Sequence, residues 1–559
     1  MSSNSSIADS FTLLSKLLDI HGENSFKSKS YSSAAFAIEK LTVPLTEMPA
    51  EKIQYIKGIG PSSAQKIIEI IETGRLVALE EIISHTPSGV IEMLRIKGLG
   101  PKKIHTIWKE MELETIGELL YACRENRLKL YKGFGEKTQQ NVMEAIEFYQ
   151  RHLGSQLYAE AEAYGSVILE SLQQGLPEKR FKITGSLARQ LETMESIDFI
   201  TDAGKPELMP LLNQWEGFEI HEERENLLLL SSPMGIKIQI HIAEEKNFMA
   251  DHIRLSSADV FYDALKSSYS IPEHAKEEMD FFQAMNLSPI PACLRESAAI
   301  IHQAEKNQLP VLIQPEDIRG IIHCHSNWSD GSNSLEEMAK AAKEKGLEYL
   351  VISDHSQTAS YAQGLRPERV LAQHELIDEL NEQLKPFKIF KSIESDILQD
   401  GSLDYHEDIL KRFDLVIASV HSNLKMSEEK AMMRLMRAIE NPYTRILGHM
   451  TGRLLLSRPG YPVDHKKIID ACASNGVVIE LNAHPSRLDM DWRQISYAIE
   501  KGVLISINPD AHDIDGMDLT KYGVYVAQKA GVTKADNLSS MSLVEFESWV
   551  KLSGSGFTG

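Results

Sequence analysis

Seven short, β-branched runs in the last 240 residues each end in histidine, aspartate or glutamate. They are GIIHCH (320–325), YLVISDH (349–355), KIFKSIE (388–394), DLVIASVH (414–421), RILGH (445–449), GVVIELNAH (476–484) and GVLISINPDAH (502–512). The terminal residues are His323 with His325, His355, Glu394, His421, His449, His484, and Asp510 with His512. Imidazoles and carboxylates are the ligand types that hold Zn, Mn or Fe, and cations so held activate water for hydrolysis. One such residue at a strand end is ordinarily a loop cap; a polar terminus on all seven is a pattern.

The elements that would position these groups alternate in the sequence. Between most of the apolar runs lie amphipathic stretches such as SLEEMAKAAKEKG (334–346) and DHKKIIDACASNG (464–476). Near-continuous apolar strands alternating with helices predict a parallel sheet buried on both faces. If that sheet curls into a barrel, the C-terminal strand ends converge on one face, and a site forms there.

HCHSNWSDG, SDHS, the Glu of SIESD, SVHS, GHMTGR and NPDAH resemble the successive motifs of the PHP (polymerase and histidinol phosphatase) superfamily. The resemblance implies a distorted seven-stranded (β/α) barrel and two or three divalent metal ions (Zn, Mn or Fe). It implies nine ligands: His323, His325, Asp330, His355, Glu394, His421, His449, Asp510 and His512. Closely spaced cations bring the pKa of a shared water from about 15.7 towards about 7 and neutralise phosphoryl oxygens. Asp330, Glu394 and Asp510 are then the catalytic carboxylates of a phosphoester hydrolase. Arg453 and Arg487, just past two strand ends, are candidates to clamp a phosphate or to form salt bridges. His484 departs from the pattern, standing where relatives usually carry a smaller polar residue.

Three glycine turns punctuate the first 150 residues: IKGIGPSSAQKI (56–67), IKGLGPKKIHTI (96–107) and YKGFGEKTQQNV (131–142). Each predicts a tight G-x-G turn followed by a helix starting at Pro61, Pro101 or Glu136. Glycine lets backbone N–H groups approach a phosphate, and the helix N-terminus favours negative charge. The candidate DNA-binding residues are Lys57, Gly58 and Gly60; Lys97, Gly98, Gly100 and Lys102; and Lys132, Gly133 and Gly135. The three turns resemble helix–hairpin–helix motifs, which grip DNA backbones without reading sequence.

In this order, the whole chain resembles a bacterial-type family X DNA polymerase with a C-terminal PHP domain. The resemblance divides it into a lyase-like helical domain (1–80), a fingers-like region (81–155), an α+β nucleotidyltransferase-like palm (156–245), a thumb (246–308), a linker (309–319), the PHP barrel (320–553) and a flexible tail (554–559). HGENSFKSKSYSSAAFAI (21–38) matches a DNA-end-binding segment, with Lys27 and Lys29 in it. The palm departs from the family. Its G-S-x-R and G-D-I-D motifs read GSLARQLETMESIDFI (185–200), keeping Gly185, Ser186, Arg189 and Asp198 but placing Glu195 and Ser196 at the usual glycine and first aspartate. The third carboxylate position, in GIKIQIHI (235–242), is Gln239. Two Mg²⁺ ions need several carboxylates, whereas Ser and Gln are neutral, so polymerisation is expected to be lost. The aromatic–Thr–Gly–Ser turn is altered too, to LSSAD (255–259).

Bulk properties set outer limits. The net charge is −21, yet residues 1–150 hold 18 Lys+Arg against 19 Asp+Glu, so the first part can meet a phosphate backbone locally. The four scattered cysteines fit a reducing cytoplasm. No signal peptide or membrane-spanning run is evident, and a monomer is expected. The favoured reading is a DNA-binding, metal-dependent 3′–5′ exonuclease or 3′-end-processing enzyme of DNA repair, acting on gapped, nicked or 3′ ends. An active gap-filling polymerase with proofreading, in which case the palm would take Mg, stays open. So do a non-catalytic scaffold that binds DNA ends and a small-molecule phosphatase.

Overall fold

The computed structural model describes residues 4–554 apart from positions 40, 42, 152, 153 and 234. From 555 on, the expected tail lies outside the described residues. Contacts group the chain into two compact units, Met1–Glu147 and Phe148–Gly559. No helix among the described residues is long and apolar enough to cross a membrane.

The first unit is helical. Ile7, Phe11, Leu14 and Leu18 recur at helical spacing along Asn4–His21 and are buried against Tyr31, Ala34 and Ile38 of the helix Ser25–Glu39. Hydrogen bonds of 2.8 Å, between His21 Nε2 and Thr86 Oγ1 and between His105 Nδ1 and the Ile20 carbonyl, join these helices to the segment beyond residue 80. The three glycine turns lead into the helices Pro61–Thr73, Pro101–His105 and Glu136–Arg151.

The second unit opens with a two-residue ribbon in which β1 (Gln156–Leu157) pairs with β3 (Thr193–Met194). A five-stranded sheet follows, built from β2 (Phe181–Thr184), β4 (Ile197–Thr201), β5 (Glu219–Arg224), β6 (Leu227–Ser231) and β7 (Lys237–Ile242). Its order is β2-β4-β7-β6-β5, with β4 and β7 parallel and the other neighbours antiparallel. Helices Phe248–Leu255, Asp259–Ser268 and Glu278–Gln283 then pack around a buried guanidinium. Arg295 donates to the Ile290 carbonyl (2.9 Å), to Ser256 Oγ (2.8 Å) and to Glu278, which is how a charge is tolerated in a core.

The seven expected C-terminal strands are all present: β8 (Gly320–Ile321), β9 (Tyr349–Ile352), β10 (Lys388–Asp396), β11 (Leu415–Ser419), β12 (Thr444–Leu447), β13 (Val478–Asn482) and β14 (Ile505–Asn508). They lie side by side in chain order and all run parallel. β9, β11, β13 and β14 are buried along their whole length, as a parallel sheet covered on both faces requires. The first strand is shorter than its apolar run, because the segment after Ile321 leaves the ladder with β9 and turns to the last strand. There Cys324 bridges to Ala511, and the His325 N–H donates 2.8 Å to the Ala511 carbonyl. This contact nearly closes the barrel.

The stretch 309–319 packs onto the barrel: Ile313 is part of its core and Leu312 pairs with Thr533. The barrel and the middle sheet also share an interface. Tyr158 packs edge-on against Tyr522 and Tyr525 of the helix Thr520–Lys529, at centroid distances of 6.3 and 5.8 Å. Beside it Lys521 pairs with Glu162 at 3.3 Å.

Candidate metal centre

All nine expected ligands meet at the C-terminal ends of the barrel strands. Glu394, on β10, lies between the others: its Oε1 is 2.9 Å from His449 Nε2 and 3.1 Å from His421 Nε2, and its Oε2 is 3.0 Å from His355 Nδ1. Asp510 Oδ1 lies 3.0 Å from His325 Nε2 and 3.4 Å from His323 Nε2. Asp330 reaches His355 and His512, each at 3.5 Å. Three overlapping groups have ligand atoms within 4.8 Å of one another: His325, Asp330, His355 and His512; His323, His325 and Asp510; and His355, Glu394 and His421.

The donor set fits divalent cations. It is a mixture of imidazole nitrogen and carboxylate oxygen, almost wholly buried. His323 Nε2, His325 Nδ1, Asp330 Oδ2 and Glu394 Oε2 are buried without a hydrogen-bond partner, which is costly unless a cation takes their lone pairs. Burial would raise the pKa of Glu394, yet His421, His323 and His355 around it hold the carboxyl well below its usual range. Burial likewise opposes ionisation of Asp510, and His323 and His325 more than reverse it.

The imidazoles are oriented from behind by residues the motif reading passed over. His323 Nδ1 is 2.7 Å from Glu480 Oε2, and His421 Nδ1 contacts Asp396 Oδ1. Glu480 also accepts from the His449 N–H at 3.1 Å, Asn482 Nδ2 at 3.1 Å and Asn508 Nδ2 at 2.8 Å. Asp354 takes Ser326 N, Ser326 Oγ, Ser329 Oγ and Gln373 Nε2, and so holds the loop that carries Asp330. One signal was present in the sequence: Glu480 is an acid in the middle of an otherwise apolar run, and Asp396 follows Glu394 at the same-face spacing of two.

Arg453 does not stand free to clamp a phosphate. Its guanidinium is spent on Glu192, on Asp491 (3.2 Å), and on the carbonyls of Arg487 (3.0 Å) and Leu488. These contacts are salt bridges of the kind the sequence offered beside the clamp. Arg487 is buried in the same loop. His449 and His484 both fall outside the three ligand groups; His449 still meets Glu394 directly, whereas His484 Nδ1 accepts the Ser486 N–H at 3.2 Å and closes the turn after β13.

In the middle sheet the register sets Asp198 opposite Gln239. Gln239 Nε2 donates to Ser196 Oγ at 3.0 Å, and Ser196 Oγ donates to Asp198 Oδ1 at 2.9 Å. The expected metal positions therefore converge, but as one carboxyl at the end of a chain of two neutral side chains. Burial, only partly offset by the Ser196 hydroxyl, pushes the Asp198 carboxyl up to about 6. Gly185 (φ +64°) leaves room for Asp198, since a Cβ there would fall 2.1 Å from its Oδ2. Ser186 sits in the short helix Gly185–Ala188 that follows, and Glu195 is exposed in the bend before β4. Arg189 forms a two-bond pair with Glu296, at 2.9 and 2.7 Å, and Lys529 of the barrel joins it.

The three turns of the first unit share one construction. Gly58, Gly98 and Gly133 take φ of +98°, +93° and +94°, a region cheap only for glycine. Ile59, Leu99 and Phe134 are buried and anchor each loop, while Lys57, Lys97, Lys102, Lys132, Gly60, Gly100 and Gly135 are exposed. Lys27 and Lys29 are exposed on the helix Ser25–Glu39, as a solvated face would be.

Family comparisons agree with this layout. A helix-hairpin-helix domain matches residues 2–76, a SAM-like helix-hairpin-helix tandem residues 90–147, and a PHP domain residues 322–484. The chain is 32% identical to the DNA polymerase/3′-5′ exonuclease PolX of Bacillus subtilis (strain 168), over 96% of its own length and 97% of that protein. Its barrel part is 29% identical to a probable phosphatase of Thermoanaerobacter sp. (strain X514), over 38% of this chain and 86% of that protein. It is 32% identical to a probable phosphatase of Acetivibrio thermocellus, over 34% of this chain and 78% of that protein. With near full-length similarity, hairpin domains in front and a PHP barrel behind, the chain belongs to the family X DNA polymerases that carry a C-terminal PHP domain.

Proposed function

We propose that this protein is a DNA-binding, metal-dependent phosphodiesterase that works on 3′ ends in DNA repair, as a 3′–5′ exonuclease or a remover of 3′ blocking groups, and that its palm no longer polymerises. The observation that carries the reading is a contrast within one unit. The barrel brings the nine expected ligand residues together, eight in tight groups and His449 against Glu394, while Asp198 accepts from the neutral Ser196, which in turn accepts from the neutral Gln239. The relative named as a polymerase and 3′-5′ exonuclease supports DNA as the substrate, and the probable phosphatases support phosphoester hydrolysis.

Residues 1–80 and 81–155 are proposed to hold DNA through the hairpins, 156–245 to be the palm, 246–308 the thumb and 320–553 the nuclease. His323, His325, Asp330, His355, Glu394, His421, His449, Asp510 and His512 would hold two or three divalent ions, Zn, Mn or Fe. Such ions, when bound, supply an activated water and neutralise the phosphoryl oxygens. The chain's own part is to keep Asp330, Glu394 and Asp510 ionised and to fix each imidazole through Glu480 and Asp396. Arg487 remains the candidate cation for the phosphate. The four cysteines are free and buried, which agrees with a reducing cytoplasm, and the substrate is proposed to be a gapped or nicked duplex bound by a monomer.

The test is release of label from a 3′-labelled gapped duplex with Mn²⁺. The native protein should release it, and His323→Ala should lower the rate by at least about 100-fold. Equal rates for the two would sink the proposal. A second reading, gap-filling synthesis, is favoured by the name of the Bacillus relative. Primer extension that disappears in Asp198→Ala would establish it. A DNA-end scaffold without catalysis would instead purify without tightly held Zn, Mn or Fe.

A further inference from the structure

We propose that Glu192, at the edge of the middle domain, is a positioning residue for the barrel's metal centre. Glu192 follows the turn after Arg189, and its carbonyl accepts the Tyr158 N–H at 3.1 Å, so its backbone is tied to the β1–β3 ribbon. Its carboxylate receives Arg453 and lies 3.7 Å from Arg493. The pair is largely desolvated, with side-chain exposures of 14% for Arg453 and 11% for Glu192, so losing one partner costs far more than at a surface.

Arg453 lies four residues after His449, and it transmits the constraint. Its remaining donors hold the carbonyls of Arg487 and Leu488, the latter at φ +44°, a backbone region a leucine enters only when its surroundings enforce it. The next residue, Asp489, accepts from Thr451 N at 3.0 Å and Thr451 Oγ1 at 2.9 Å. The Asp489 carbonyl takes the Asn482 N–H, and Asn482 Nδ2 donates to Asp510 Oδ2 at 3.1 Å. A path of hydrogen bonds joined by short covalent steps, from Leu488 to Asp489 and across Asn482, thus runs from a carboxylate of the middle domain to Asp510, a candidate ligand of the barrel. The middle domain serves the barrel's chemistry without supplying a reacting group. Lys521–Glu162, elsewhere on the same interface, pairs at 3.3 Å and is not one of the residues of this path.

This inference rests on the barrel being the hydrolytic site, and its test separates the two. Full-length Glu192→Ala, Glu192→Gln, Glu162→Ala and His323→Ala are compared on bis(4-nitrophenyl) phosphate and on a 3′-labelled oligonucleotide, with Mn²⁺. Glu192→Ala should lower kcat about tenfold on both substrates, with the oligonucleotide KM changed by less than about twofold, and Glu192→Gln should recover part of the loss. Glu162→Ala should lower the Tm of the interface but leave kcat unchanged. A native kcat in Glu192→Ala, a loss confined to KM, or an equal kcat loss in Glu162→Ala would overturn the positioning role. If Glu192→Ala does not fold, Glu192→Gln decides: kcat reduced about threefold on both substrates supports the role, and a native kcat removes it. Activity persisting in His323→Ala would defeat the functional reading itself.

Discussion

His323 Nδ1 lies 2.7 Å from Glu480 Oε2, a fully buried contact that aims the opposite ring nitrogen at Glu394 and Asp510. A carboxylate behind a ligating imidazole sets its tautomer and raises its basicity. Glu480→Gln keeps the size of the side chain but replaces one acceptor oxygen with a donor. Metal affinity should fall about 10–100-fold with the fold intact. Metal content after dialysis against a graded chelator, alongside circular dichroism, checks this; unchanged retention would remove Glu480 from the centre.

The hairpins make a prediction about salt. Lys57, Lys97 and Lys132 are exposed beside glycines with left-handed backbones. If each neutralises one phosphate, every Lys→Ala change should lower duplex affinity for all sequences alike. The slope of log K against log salt should shrink by about one per lysine. Fluorescence anisotropy over a salt series on two unrelated duplexes reads both effects. Loss on one sequence only would exclude a backbone grip.

Acid should unfold the helices packed around Arg295 through one carboxylate. Burial opposes the charge of Glu278, but the hydrogen bond from His252 and the charge of Arg295 win and bring it down to about 2. A carboxyl depressed in the fold stabilises it at pH values above its unfolded pKa of about 4.5, and that stability is lost as pH falls towards about 2. Melting temperature should therefore drop between pH 4.5 and 2, and Glu278→Gln should be less stable at pH 7 with a flatter profile in that window. A profile identical to the native one would deny Glu278 that role.

The palm offers a gain-of-function check. Ser196→Asp with Gln239→Asp would place three carboxyls where Asp198 now accepts from Ser196 and Ser196 from Gln239. Calorimetry should detect Mg²⁺ binding in the double variant that is abolished by adding Asp198→Ala, and none at this site in the native protein. Mg²⁺ binding in the native protein that Asp198→Ala removes would contradict the lost palm.

Much of the candidate site was legible because polar residues at strand ends obey local rules. His355, Glu394, His421 and His449 each follow an apolar run, and a parallel strand delivers its last residue to the same face as its neighbours. The glycines of the three turns were equally readable, since a left-handed φ selects for glycine whatever lies around it. Arg453 was not readable. Its position after β12 suits a phosphate clamp and a salt bridge alike, and only the arrival of Glu192, 261 residues earlier in the chain, decides between them.

By itself the sequence determined the types of the candidate ligands, their order along seven strands, the three glycine turns and the neutral Ser196 and Gln239 near Asp198, all consequences of residue identity and short-range spacing. The tertiary structure alone decided that Cys324 meets Ala511 and nearly closes the barrel, that Glu480 stands behind His323, and that the middle domain reaches the candidate metal centre's loops through Glu192 and Arg453. Those contacts join residues far apart in the chain, and no local periodicity encodes a pairing whose partners meet only when separate elements have packed.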